Sequence, residues 1–414
     1  MPVHGELRVP GDKSISHRAF MLGALAAGTT AVHRALDSHD VASTRRVLEA
    51  LGARIDKKTD AWLISGGGLR EPQSVLDAGN SGTTARLMSG ILSGIEGVSV
   101  MTGDSSLVRR PMARVMQPLE KMGARFMARQ GRFLPMAVRG GALTGISHAL
   151  DVASAQVKSA LLLAGLKAGG RTSVSEPSPS RDHSERMLSH FGARLARAGN
   201  TVTLDGPQGL EPRELTVPGD PSSAAFPVVW AAATPGSELL VRDVCLNPTR
   251  TGFISALRRM GAQISLENVR EVCGEPVGDI SVKGGGLQGT TIEGDDVPKL
   301  IDEIPILAVA ACLAEGKTLI RDASELRVKE TDRIRALVEG LASLGARVEE
   351  HGDGLAIDGP LKLGSGPVRT FSDHRIAMSF HILSRAAGID VAIDDPGCVD
   401  ISFPGFFVLM DSLA

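Results

Sequence analysis

The sequence predicts an α/β protein built from repeats, on two observations. The first is a five-residue pattern of apolar, Gly, Ala, Arg or Gln, apolar. It recurs at Leu51–Ile55, Met122–Phe126, Phe191–Leu195, Met260–Ile264 and Leu344–Val348, with glycines spaced by 71, 69, 69 and 84 residues. The second is an Ala-rich run that precedes each copy and ends near a glycine. A fixed period of this size marks a repeated supersecondary unit, and 414 residues hold six units of 69.

Each unit justifies its own elements. The Ala-rich runs begin near Ser14, Ser81, Ser154, Pro221, Ile304 and His374, and Gly28, Gly97, Gly169, Gly236, Gly316 and Gly388 follow them. Each reads as a helix leading into a β-type run such as Thr318-Leu319-Ile320. A second helix carries an apolar stripe at steps of three and four: Leu48 and Leu51; Val115, Leu119 and Met122; Met187, Leu188 and Phe191; Ile254, Leu257 and Met260; Leu337, Leu341 and Leu344. The Gly of Gly-Ala closes that helix, and a short strand follows. The expected unit is therefore helix, strand, helix, strand. The sixth is truncated, Ile401–Ala414 supplying its second helix alone, and the longer fourth spacing, the one before Gly345, points to an insertion between about Ser265 and Asp296.

One such unit buries its apolar face only against neighbours, and six exceed what a single core usually holds. Two groups of three are expected, divided near Val217-Pro218-Gly219-Asp220.

Composition narrows the function. A net charge of −2 argues against a general nucleic-acid or membrane-surface binder, and with no Tyr and two Trp there is little for bases to stack on. No apolar run reaches the roughly 18 residues that span a bilayer. Cys245, Cys273, Cys312 and Cys398 lie far apart without a C-x-x-C pair, so free thiols of a reducing, cytoplasmic setting are expected.

Polar residues concentrate where helices begin: Lys13, Ser14 and Arg18; Gly79-Asn80-Ser81-Gly82-Thr83-Thr84-Ala85-Arg86; Arg109-Arg110; Ser154-Ala155-Gln156; Ser180-Arg181-Asp182-His183; Asp302-Glu303; Arg327–Arg333; Ser372-Asp373-His374-Arg375. Capping accounts for the Ser, Thr, Asn and Asp. It does not account for Lys or Arg, which are unfavourable at the positive end of a helix dipole unless an anion binds there. If the entries of both halves converge, Lys13, Arg18, Arg110, Lys329, Arg333 and Arg375 line one cleft for phosphate or carboxylate groups. Asp302 and Glu330 stand among these cations as candidates for proton transfer, or as salt-bridge partners only. Glu303 should cap or pair. His17, His183 and His374 show no metal-ligand spacing, so hydrogen bonding is expected of them. Gly66-Gly67-Gly68 and Gly284-Gly285-Gly286 read as turns.

These stretches, with Arg110-Pro111-Met112, Asp302-Glu303-Ile304-Pro305 and Ser402-Phe403-Pro404, keep the order of a known family over nearly the whole chain. The chain resembles the EPSP synthases, the 3-phosphoshikimate 1-carboxyvinyltransferases of the enolpyruvyl transferase family. The resemblance implies a two-domain inside-out α/β barrel, a βα-prism of six βαβαββ repeats, three per domain. The domains would be residues 12–218, and 1–11 with 219–414. It implies transfer of the enolpyruvyl group of phosphoenolpyruvate to the 5-hydroxyl of shikimate 3-phosphate between domains that close, with no metal or cofactor, in a cytoplasmic monomer.

Carried over by position, Lys13, Ser14, Arg18, Ser154, Ala155, Gln156, Arg181, Asp302 and Lys329 would meet shikimate 3-phosphate. Lys13, Asn80, Gly82, Arg110, Gln156, Glu330, Arg333, His374 and Arg375 would meet phosphoenolpyruvate. Asp302 would be the base for the 5-hydroxyl and Glu330 the acid for the methylene carbon, assisted by Lys13. Two departures stand out. Ile401 replaces a Lys usual just before the Phe-Pro, and Gly82 leaves room for glyphosate, the family's herbicide. A sister enzyme acting on UDP-N-acetylglucosamine usually carries a Cys in the loop matching Ser105–Arg114, which has none here. A non-catalytic binder of phosphorylated metabolites would explain the cations but not the two carboxylates.

Overall fold

In the computed structural model, which describes residues 2–413, all six Ala-rich runs are helices: Lys13–Leu25, Gly82–Ser93, Ala155–Gly165, Pro221–Ala233, Ile304–Leu313 and His374–Ala387. Met1 and Ala414, the outer ends of the expected domain ranges, lie outside the described residues. These helices are apolar nearly all round. In Ile304–Leu313 every residue from Ile304 to Cys312 is buried, and a helix of that kind belongs in an interior. Each fully buried Leu, Ile or Phe side chain contributes about 1.5–3 kcal/mol over leaving it in water.

The chain forms two units. The N-terminal unit comprises Gly11–Val217 with Val272–Glu275; the C-terminal unit comprises residues 2–10, Pro218–Glu271 and 276–413. Within the N-terminal unit the helices Lys13–Leu25, Gly82–Ser93 and Ala155–Gly165 pack on one another, and within the C-terminal unit the other three do so. Sheets lie over these helices with one face toward them, as in Thr29–His33, where Thr30 and Val32 are buried and Thr29 is exposed.

Four of the five complete repeats contribute a four-stranded sheet in which the strand after the central helix pairs with a parallel leading strand on one side and an antiparallel strand on the other; in the third repeat two leading strands, Leu143–Thr144 and Ser147–Ala149, pair with Ala168–Ser175 and make five. The second repeat shows the pattern: Leu76–Asp77, Gly97–Thr102, Phe133–Gly140, then Arg125–Arg129. The expected helix, strand, helix, strand unit was therefore two strands short. The leading strands are two to four residues long, too short to show alternation, and the last strand of the second repeat, continuous over Phe133–Gly140, contains Pro135, which breaks its β-type run in the sequence. Two leading strands come from distant sequence. Glu214–Thr216 pairs with Thr29–His33 and closes the N-terminal unit on itself, while His4–Leu7 pairs with Glu238–Cys245 in the C-terminal unit. The sixth repeat keeps two strands, Gly366–Val368 and Val391–Ile393.

The insertion expected between Ser265 and Asp296 is two separate additions. The hairpin Gln263–Val272 and Glu275–Lys283 is longer than its counterparts, and a helical segment, Gly294–Leu300, precedes the central helix of the fifth repeat. The second addition thus runs past Asp296.

One glycine signal tracks all five complete repeats. Gly66, Gly140, Gly206, Gly284 and Gly359 stand at or just past the end of the last strand. A Cβ on any of them would strike carbonyl oxygens at the end of the central helix, those of Gly23, Leu92, Gly165, Thr234 and Ala314 respectively. Each repeat needs glycine where its last strand crosses the helix end. The runs at Gly66 and Gly284, read as turns, have this role.

Candidate active site

The helix ends opposite those glycines carry the charged residues. In the N-terminal unit Asp12 caps its helix, Oδ1 accepting from the Ile15 amide at 2.8 Å. Lys13 occupies the first turn, its Nζ 3.1 Å from Asp40 Oδ2. Arg18 follows one turn later and is 5% exposed. Its guanidinium donates to Ser184 Oγ at 2.7 Å, Ser159 Oγ at 2.9 Å and the Ser14 carbonyl at 3.0 Å. Burial pushes Arg18 down to about 10; Glu185 and Asp12 oppose this, and the like charge of Arg181 adds to it. Two arginines thus stand near one another, an arrangement that an anion would relieve. Between Lys13 and Arg18, His17 is fully buried, with Nδ1 2.7 Å from Thr44 Oγ1. Burial first, and then both neighbouring cations, hold it well below its ordinary pKa, so it is neutral.

A second cluster forms where helices Gly82–Ser93 and Ala155–Gly165 begin. Ser81 caps the first of these and Ser154 the second. The helices approach so closely that a Cβ on Gly90 would run into the Ala160 carbonyl. One turn upstream on each, Arg86 donates to Gln156 Oε1 at 2.7 Å, and Gln156 Nε2 donates to Thr83 Oγ1 at 3.1 Å. Arg110 donates to Asn80 Oδ1 at 2.9 Å, and Asn80 in turn donates to Asp104 at 2.6 Å. Gly82 lies against both arginines: an added Cβ would be 2.9 Å from Arg86 Nη1 and 3.6 Å from Arg110 Nη1. Asn80, Gly82, Arg110 and Gln156 are therefore brought together, and Arg86 joins them. The sequence reading placed Arg86 in the motif without giving it a role.

The C-terminal unit centres on Arg333, the first residue of helix Arg333–Ser343 and 1% exposed. Its Nε donates to Asp373 at 2.8 Å, its Nη2 to Glu330 at 2.7 Å and its Nη1 to Asp302 at 3.3 Å. Burial alone would lower its pKa; Asp373, Glu330 and Asp302 overcome that and raise it above the ordinary value. Lys329 Nζ lies 3.0 Å from Glu325 and 3.7 Å from Asp302. Arg375 Nη1 donates to the Asp302 carbonyl at 2.9 Å and lies 3.7 Å from Glu303 Oε1. His374, buried, opens the helix that Asp373 caps. Asp302, Lys329, Glu330, Arg333 and Arg375 thus form one constellation.

Glu303 pairs, as expected, but it does so within this constellation. It makes no cap; its carboxylate accepts from the Ser222 hydroxyl, and Arg250 Nη2 donates to Ser222 Oγ at 3.0 Å and to Asp220 Oδ1 at 2.9 Å. Ser222, Arg250 and Asp373 support the constellation without having been given that role by the sequence. The Asp220 stretch had been singled out only as a boundary. Ile401 is half-buried against the apolar core of the C-terminal unit.

The model of the EPSP synthase (3-phosphoshikimate 1-carboxyvinyltransferase) family matches residues 1–410. The chain belongs to the EPSP synthase family. It is 52% identical to the 3-phosphoshikimate 1-carboxyvinyltransferase of Anaeromyxobacter sp. (strain K), covering all of this chain and 94% of that one. The enzyme of that name from Desulforudis audaxviator is 53% identical, over 99% of this chain and 97% of the relative. Among solved structures, an EPSP synthase from Acinetobacter baumannii superposes with a TM-score of 0.89 at 43% identity, over 100% of this chain and 96% of that one. The enolpyruvyl transferase NikO from Streptomyces tendae, at 17% identity and a TM-score of 0.79, shares the fold. The inside-out α/β architecture of the family is the one described above, with helices within each unit and sheets over them. No helix among the described residues is long and apolar enough to cross a membrane.

Proposed function

We propose that the chain transfers the enolpyruvyl group of phosphoenolpyruvate to the 5-hydroxyl of shikimate 3-phosphate, releasing inorganic phosphate. Family membership over residues 1–410 supports the reaction, and the observation that carries its chemistry is the buried Arg333 holding Glu330 and Asp302 side by side.

The reaction is an addition followed by an elimination. The 5-oxygen bonds to C2 of phosphoenolpyruvate as Asp302 takes the hydroxyl proton and Glu330 gives a proton to C3. The methyl group so formed then returns one proton, the C2–O bond to phosphate breaks, and the C2–C3 double bond is restored. Protonating C3 makes C2 electron-poor, so a positioned acid and base are what the protein must supply. Protons and phosphate balance without an electron carrier, and we assign no cofactor.

In this reading Lys13, Ser14, Arg18, Ser154, Ala155, Gln156, Arg181 and Lys329 bind shikimate 3-phosphate, with Asp302 at its 5-hydroxyl. Asn80, Gly82, Arg110, Gln156, Arg333, His374 and Arg375 hold phosphoenolpyruvate, with Lys13 and Glu330 at its reacting end. Arginines suit both the phosphate and the carboxylate of that substrate through paired N–H donors. Arg86 adds a guanidinium beside Gly82. The four cysteines, three of them buried and none in a disulfide among the described residues, suit a cytoplasmic setting.

The test is a phosphate-release assay with phosphoenolpyruvate and either shikimate 3-phosphate or UDP-N-acetylglucosamine, with the product's mass measured. The reading expects release only with shikimate 3-phosphate and a product heavier by the enolpyruvyl group. Release with the nucleotide sugar alone, or with neither acceptor, would refute it.

A further inference from the structure

A buried carboxylate, Glu176, joins two stretches assigned above to shikimate 3-phosphate, one of them carrying Arg181, whose guanidinium suits its phosphate. Its Oε1 accepts from the Ser154 amide at 3.3 Å and from the Ser180 hydroxyl at 2.5 Å. Its Oε2 accepts from the Ser180 amide at 3.4 Å and from Lys158 Nζ at 2.6 Å. One side chain therefore grips the residue before Ala155 and the residue before Arg181.

Its charge does not stand alone. Lys158 lies on helix Ala155–Gly165 with its side chain 3% exposed, and its Nζ is also 2.8 Å from Glu185 Oε1 on helix His183–His190. The next residue on one helix and the preceding residue on the other, Ser159 and Ser184, are the two hydroxyls that hold Arg18. A carboxylate this close to a phosphate-binding stretch would repel the ligand unless neutralised, and Lys158 is placed to do that.

We propose that Glu176 is a positioning residue for the phosphate of the acceptor substrate. It fixes the spacing between the helix entry at Ser154–Gln156 and the loop bearing Arg181, and Lys158, shared with Glu185, offsets its charge. The proposal rests on the assignment of shikimate 3-phosphate to these residues.

Steady-state kinetics of Glu176→Ala and Ser180→Ala, varying each substrate in turn, test it. Charge-assisted hydrogen bonds of this kind are worth about a factor of ten or more in affinity. Glu176→Ala should raise the KM for shikimate 3-phosphate at least about tenfold, with kcat and the phosphoenolpyruvate KM within about threefold. Ser180→Ala removes one of these bonds and no buried charge. It should raise the same KM by roughly three- to tenfold and lower the unfolding temperature less than Glu176→Ala does. A merely structural role would move both KM values together or lower kcat. That result, or an unchanged shikimate 3-phosphate KM, overturns the proposal. If Glu176→Ala does not fold, Ser180→Ala decides alone. Wild-type protein that releases no phosphate from the two substrates would instead defeat the functional assignment, and this inference with it.

Discussion

Arg333 Nη2 lies 2.7 Å from a carboxylate oxygen of Glu330, three residues earlier in the chain. The same guanidinium reaches Asp302, so one buried cation sets the places of the proposed acid and base. Replacing Glu330 by Gln keeps the size and a hydrogen-bonding end but removes the transferable proton. Glu330→Gln should lower kcat by about 10²-fold or more while both KM values change little, the usual worth of a positioned general acid. Steady-state kinetics checks this, and near-normal turnover would remove Glu330 from the role.

Gly82 gives a sharper probe of the phosphoenolpyruvate residues. An alanine there meets the end of the Arg86 side chain, which can swing away, so the fold should survive. Displaced, Arg86 leaves Gln156. Gly82→Ala is expected to raise the KM for phosphoenolpyruvate about tenfold, the loss of one charge-assisted bond, with that for shikimate 3-phosphate little changed. Glyphosate should inhibit the wild type competitively with phosphoenolpyruvate and the variant more weakly. Equal inhibition constants for the two proteins would show that nothing binds beside Gly82.

The Gly90–Ala160 approach makes a different prediction, because there the obstacle is backbone. Gly90→Ala must push helices Gly82–Ser93 and Ala155–Gly165 apart, at the roughly 1–3 kcal/mol that overpacking costs. Arg86 and Gln156 lie one turn away, so the phosphoenolpyruvate KM should rise along with the loss of stability. Denaturant unfolding and kinetics on one preparation measure both. Full stability in the variant would contradict the packing described here.

The pH dependence of stability has an identifiable contributor in His381. Its ring packs edge-on against Phe406 and Phe407, with centroids at 5.5 and 5.0 Å. Burial pushes it down to about 4 from 6.5; Arg385 adds to this and Asp411 opposes it. The unfolded chain therefore takes up a proton near pH 6.5 that the folded protein refuses until about pH 4. The stability associated with neutral His381 is present above pH 6.5, is lost as pH falls to 4, and levels off below. The loss is at most about 3 kcal/mol. Unfolding curves from pH 8 to 4 should show His381→Leu losing less stability than wild type over that interval. Parallel curves would exclude the histidine as the cause.

The six central helices were legible because each is an Ala-rich run with a polar start and a glycine beyond its end. The clustering of Asp302, Lys329, Glu330 and Arg333 was legible only as neighbouring motifs and through resemblance. Contacts such as Arg333 to Asp373, 40 residues apart, exist only once two repeats pack together. The leading strands escaped because two to four residues carry no period. The glycines that cross the helix ends were in plain view. Gly140 and Gly206 lie outside the triple-glycine runs at Gly66 and Gly284 that drew attention, so the series went unread. Arg86 was given no role because it gains its meaning from Gln156, a partner on another helix.

The account depends most on proton transfer to the methylene carbon of phosphoenolpyruvate, and turnover in D2O reads that step directly. If an acid in exchange with solvent protonates C3 and a proton then leaves the resulting methyl group, the product's vinyl methylene will carry deuterium, visible by mass spectrometry and NMR. Complete conversion in D2O to product free of deuterium would contradict it.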